Sequence, residues 1–237
     1  MKTTLVAGLV LLPLAALVTV VQLDQQSRVS PTYAAAVPPA FSGSAARERS
    51  KMALEAGRPE IAVAQARQQI ELRPMPAESL TILALTSLQN GDTEIARAAL
   101  EAASRRGWRE PISQLASAQG ALEQQQYEIA SQRIVALLST ENLTESALAL
   151  LGELVTVPEG RQAMANRLAS FGRWQDKTLV SASGVAAPDD WVATIVLAVD
   201  QGADLSCNRM GQLASRYEGM DEGAAAEKLS AIACPSA

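Results

Sequence analysis

The stretch SLQNGDTEIA at residues 87–96 recurs as ALEAGRPEIA at 53–62 and as ALEQQQYEIA at 121–130, each copy starting 34 residues after the one before it. Aligned in blocks that begin at Gly43, Ala77 and Pro111, the chain matches itself without a gap. Leu54, Leu88 and Leu122 coincide, as do Glu60, Glu94 and Glu128, then Ile61, Ile95 and Ile129, then Ala62, Ala96 and Ala130. Gly57 and Gly91 share one position, with Gln125 in the third copy. A fixed period of this size marks one supersecondary unit used repeatedly, because a single unit cannot bury its apolar face alone. In the second block Leu80, Leu83, Ala84 and Leu88 fall on one face at helical spacing and predict a helix over about 77–90. Asn90-Gly91-Asp92 breaks it, and Ile95, Ala96, Ala99, Leu100 and Ala103 stripe a second helix from about Thr93.

Composition agrees with stacked helices. Of the 237 residues 48% are apolar but only 3% aromatic, which suits Ala/Leu-rich helices better than strands. A net charge of −5 argues against a nucleic-acid partner, which needs a basic face. The chain has no histidine, which removes Ser-His-Asp and Cys-His nucleophiles, His-ligated metals and the commonest general base. No phosphate loop, nucleophile elbow or dinucleotide fingerprint is present. These absences point away from an enzyme and predict no cofactor, no metal and no small-molecule substrate.

The 34-residue helix–turn–helix period resembles the tetratricopeptide repeat. The family's two small-residue positions fall on Ser50, Ala84 and Ala118, and on Ala62, Ala96 and Ala130, with Pro74 and Pro111 near block ends. The resemblance covers 43–76, 77–110 and 111–144, and a degraded fourth copy at 145–178, where Leu148, Leu151 and Gly152 fit but VPEG displaces the turn. Arg49 departs from the pattern, standing where a buried Leu is usual. The first repeat has no preceding neighbour, so an exposed Arg fits there. Gln114 and Ser117 occupy two usually apolar positions of the third copy.

The resemblance implies an all-α, right-handed α-solenoid whose concave face holds a peptide or helix of a partner protein. By position the groove contains Arg47, Lys51 and Leu54, then Thr81, Leu85 and Leu88, then Ile112, Leu115, Gln119 and Leu122. It is basic at one end and apolar in the middle. The family's carboxylate clamp is not evident, because its later positions are Ile82, Ile112 and Ala116. The competing reading of Leu54, Leu88 and Leu122 is packing between hairpins.

Residues 1–23, MKTTLVAGLVLLPLAALVTVVQL, carry one Lys and then an uncharged run over 3–23, long enough to cross a bilayer as a helix. Either it is retained as a single-pass anchor, or it is a signal peptide cut after Ala36. In both readings Lys2 keeps the N-terminus cytoplasmic and the body outside. Arg outnumbers Lys 16 to 4, which points to a GC-rich bacterial source, an inner membrane and a periplasmic body. Residues 24–42 read as a flexible linker and 179–187 as a second one. RRGWRE at 105–110 reads as a solvated loop with one buried ring, the alternative being a headgroup or partner patch.

Pro188 with Asp189 and Asp190 starts an apolar helix too short to span a membrane, and two helices follow at about 203–217 and 222–234. Residues 188–237 thus form a helical cap. Cys207 and Cys234 flank its turn symmetrically, so a hairpin brings the thiols together. A disulfide there would stabilise by roughly 3 kcal/mol; the alternatives are two buried thiols or a redox or metal site. The functional expectation is a membrane-anchored adaptor in envelope assembly or secretion, such as a translocon, cytochrome maturation or polysaccharide export. Its rivals are a structural subunit with a self-filled groove, contacting others through its anchor, and a carboxylate enzyme.

Overall fold

The computed structural model describes residues 2–170 and 172–232, with the side chains of residues 2–8 and 10 outside that description. Among the described residues the chain is all-helical, with 13 α-helices, short 3-10 helices and no strand. It divides into two compact units, residues 1–107 and 108–237. The division falls close to the boundary between the second and third sequence repeats.

The first unit begins with α1 (Lys2–Gln26), followed by 3-10 helices at Pro31–Ala36 and Pro39–Phe41. Then come α2 (Ala45–Glu55), α3 (Pro59–Leu72), α4 (Ala77–Gln89) and α5 (Thr93–Arg106). α2 packs on α3 and α4 on α5 as two hairpins, and α4 also packs on α3 and α2. In the second unit α6 (Pro111–Glu123) and α7 (Tyr127–Thr140) form a third hairpin, followed by α8 (Thr144–Leu154), α9 (Pro158–Leu168) and α10 (Trp174–Ser181). A 3-10 turn at Ala182–Gly184 leads to α11 (Pro188–Asp200), α12 (Cys207–Glu218) and α13 (Gly223–Ser230).

The repeated phrase is a repeated helix ending. Gly57, Gly91 and Gln125 all have positive φ, at 66°, 85° and 57°. In each copy the next residue donates its N–H back across the turn: Arg58 to Ala53 O, Asp92 to Ser87 O and Gln126 to Ala121 O, all at 2.8 Å. This left-handed ending satisfies carbonyls that the helix leaves open, and glycine adopts it without a Cβ penalty. Glu60, Glu94 and Glu128 then sit in the first turn of the next helix, where a negative charge offsets the helix dipole.

The helix crossings explain the small residues. Ser50, Ala84, Ala118, Ala62, Ala96 and Ala130 are all fully buried. In the first hairpin the contact is a hydrogen bond, Ser50 Oγ donating to Ala62 O at 2.8 Å.

The fourth copy changes course. Residues 155–157 connect α8 to α9 without any left-handed residue, and α9 packs chiefly on α11 rather than on α8. Gly160 makes this possible, because a Cβ there would stand 1.8 Å from Leu154 O. Leu151, Leu154, Met164, Leu168, Ile195 and Leu213 fill the core beneath.

Residues 179–187, whose composition reads as a linker, contribute to that core. Leu179 and Ala182 are fully buried, and Leu179 O accepts the Trp191 indole N–H at 3.0 Å. Gly152 admits Val185 O, which a Cβ would meet at 2.5 Å. Cys207 opens α12, whereas Cys234 and with it the expected Cys207–Cys234 pairing lie outside the described residues.

Among the described residues no helix is long and apolar enough to cross a membrane. The span expected over 3–23 includes residues 3–8 and 10, whose side chains lie outside the description.

Candidate functional site

The ten expected groove residues divide between the units. In the first, Arg47, Lys51 and Leu54 lie on α2, and Thr81, Leu85 and Leu88 on α4. Leu54 and Leu85 are half-buried and Leu88 is exposed. Thr81 is buried, its hydroxyl donating to Ala77 O at 3.4 Å, so it serves the interior of the hairpins. The expected basic end is neutralised locally. Arg47 Nη1 donates to Glu78 Oε2 and Arg47 Nε to Glu48 Oε1, both at 2.8 Å, while Lys51 Nζ stands 3.5 Å from Glu48 Oε1. Sequence patterning missed this because Glu78 lies in the next block.

In the second unit Ile112, Leu115, Gln119 and Leu122 lie on α6. Ile112 and Gln119 are exposed, Leu115 is half-buried, and Leu122 belongs to the core. The ring of Trp108 is also open: it is 52% exposed, correcting the expectation of a buried ring. The Arg109 guanidinium lies 4.6 Å from its centroid, a stacking of cation on aromatic face.

A second constellation, not anticipated from the sequence, joins α1 to α2. Asp24 is buried, and its Oδ1 accepts from the backbone N–H groups of Ser44 and Ala45, both at 2.8 Å. It therefore caps a helix that starts some twenty residues downstream, satisfying two donors that α2 leaves open. The adjacent Ser44 makes no cap bond with its own side chain; its hydroxyl accepts instead from Arg73 Nη1 at 2.8 Å. Gly43 lets the chain pass Arg73, whose Cδ would be 2.6 Å from an added Cβ.

Arg49 completes the joint. Its Nη1 donates to Ala34 O at 2.7 Å and Val37 O at 3.2 Å, and its Nε to Gln65 Oε1 at 2.7 Å. Burial lowers the Arg49 guanidinium below its ordinary pKa, with Asp24 opposing that shift. Gln68 Nε2 donates to Pro39 O at 3.0 Å. Beneath these bonds Ala34, Val37 and Ala45 pack with Val20 and Leu23 of α1. Residues 24–42, which read as a spacer, thus fold back onto the first hairpin. Arg49 was expected to be exposed; it is instead half-buried and paired at this joint, and its departure from the repeat pattern was the available signal.

Among the described residues no cluster of His, Cys, Asp or Glu could hold a metal ion. The phenol of Tyr217, fully buried in α12, is pushed up to about 12 by burial, and among the described residues its hydroxyl has no hydrogen-bond partner. No family model matches the chain, and no curated protein matches it.

Proposed function

We propose that this chain is a membrane-anchored helical-repeat scaffold that holds a partner protein and performs no chemistry of its own. The observation that carries the reading is α1. Its 25 residues extend about 37 Å at the α-helical rise. Leu9, Leu11, Leu12, Leu14, Leu17, Val18 and Val21 are all exposed. At 100° per residue they point in every direction around the axis, so no single protein face would cover them; a bilayer would. α1 then forms a single-pass anchor in a bacterial inner membrane, its N-terminus cytoplasmic and the hairpins periplasmic.

The 34-residue period, the shared turn and the buried small residues support grouping the hairpins with tetratricopeptide repeats stacked as a right-handed solenoid. Within the first unit, Leu54, Leu85 and Leu88 offer an apolar partner helix its contacts; within the second, Ile112 and Leu115 do the same on α6. The role is that of an adaptor in envelope assembly or secretion. One observation favours the rival, a structural subunit: Arg47 is already satisfied by Glu48 and Glu78, so that end of the groove is occupied by the chain's own acids.

In-cell crosslinking from a photoreactive residue at Leu88 tests the scaffold reading. One envelope protein captured in stoichiometric amount, and lost in a Leu85→Glu variant with unchanged helicity, is the expected result. Self-crosslinks alone would leave the structural subunit as the better account.

A further inference from the structure

We propose that residues 29–41 are themselves a lipid-contacting surface. Val29, Tyr33 and Phe41 enter the headgroup layer of the bilayer that α1 crosses, and the first hairpin is held directly against the membrane rather than on a tether. The inference rests on the reading of α1 as a bilayer span.

Depth is the first argument. Both 3-10 helices pack against α1, and Ala34 and Val37 meet Val20 and Leu23. Those are the last apolar turns of α1 before Asp24. Whatever level of the bilayer Leu23 occupies, Ala34 and Val37 share it, and the rest of the segment 31–41 is tied to them along the same flank of α1. The apolar run ends there, so that level is the boundary between hydrocarbon and headgroups.

The outward side chains suit that boundary. With Ala34 and Val37 turned inward, the side chains left outside include Val29, Tyr33 and Phe41, exposed by 80%, 42% and 43%. Tyr33 is a ring with an apolar body and a polar end, the kind that gathers at this level of membrane proteins, and Phe41 and Val29 add apolar surface beside it. Arg28 is exposed beside them and presents a cation to lipid phosphate.

The backbone is prepared for scarce water. Irregular backbone near the hydrocarbon survives only where its polar groups have partners. Pro31, Pro38 and Pro39 carry no N–H to satisfy. The carbonyls of Ala34 and Val37 receive Arg49 Nη1, and that of Pro39 receives Gln68 Nε2. A spacer surrounded by bulk water would need none of these donors. The same bonds, with the Asp24 cap, prevent the hairpin from swinging away.

Depth-dependent quenching tests the proposal on the full chain. A fluorescent amino acid is placed at position 12, 33 or 41, one at a time. The protein is reconstituted in vesicles of phosphatidylethanolamine and phosphatidylglycerol that contain lipid spin-labelled at the headgroup or at the chain end. The expected result is several-fold stronger quenching of positions 33 and 41 by the headgroup label than by the chain-end label, and the reverse at position 12. Quenching at 12 with none at 33 and 41 would overturn the proposal and leave the span standing. Absence of quenching at all three would overturn both.

Discussion

The two units bury different chemistry. Among the described residues the largest fully buried side chains, including Trp191, Tyr217, Ile134, Leu137, Leu151, Met164 and Leu179, all lie in the second unit. The first unit buries chiefly alanine and small polar groups: Ala46, Ala62, Ala66, Ala84, Ala96 and Ala103, with Ser50, Ser79, Thr86 and Gln69. Its contacts are close backbone crossings and hydrogen bonds such as Gln69 Nε2 to Ser79 Oγ at 2.9 Å. Hydrophobic stabilisation follows the apolar area removed from water, and an alanine supplies little of it. One repeat pattern therefore yields two unequal stabilities, the second unit exceeding the first.

All three tryptophans, Trp108, Trp174 and Trp191, lie in the second unit, so their fluorescence reports it alone while circular dichroism reports both. In a urea titration the helical signal is expected to fall before the fluorescence changes. The largest perturbation of that gap is Trp191→Ala. It empties the core and removes the bond to Leu179 O, costing about 3–5 kcal/mol. The fluorescence midpoint should drop until the two transitions merge; an unchanged midpoint would mean that the second core does not set the difference. Asp24→Ala should act on the other side, removing the cap of α2 at a cost of about 1–2 kcal/mol and widening the gap, while Asp24→Asn, which keeps an acceptor, should move it little. The smallest effect compares equivalent turns. Gly91→Ala meets no steric neighbour, yet should lose about 1 kcal/mol to its positive φ, whereas Gln125→Gly should gain up to about 1 kcal/mol by relieving the same strain. Equal responses of the two turns would break the equivalence that the shared hydrogen bonds imply.

What the sequence disclosed follows from the range of the forces involved. The turn at Gly57, Gly91 and Gln125 and the small residues at the crossings were legible, because each is set by residues within one hairpin and recurs at a fixed interval. The expected helix over about 77–90 lies at Ala77–Gln89 for the same reason. Asp24 was not legible, since an aspartate after an apolar run gives no sign that it caps a helix beyond the next loop. Nor was the burial of Leu179 and Ala182, which sit in a stretch whose Ser, Gly and Ala look like a linker; composition records local flexibility, not what a tertiary core needs. The expected groove was legible only as a list of positions: Thr81 and Leu122 are buried, and Arg47, its expected basic end, is paired with Glu78.

Arg49 has a consequence for how such an array can evolve. A leucine at that position would await a preceding hairpin, and a duplication could supply one. The guanidinium is instead spent on the carbonyls of Ala34 and Val37, so the upstream side no longer offers an apolar seat for another copy. Together with the Asp24 cap, these bonds hold the start of α2 at a set distance from the end of α1.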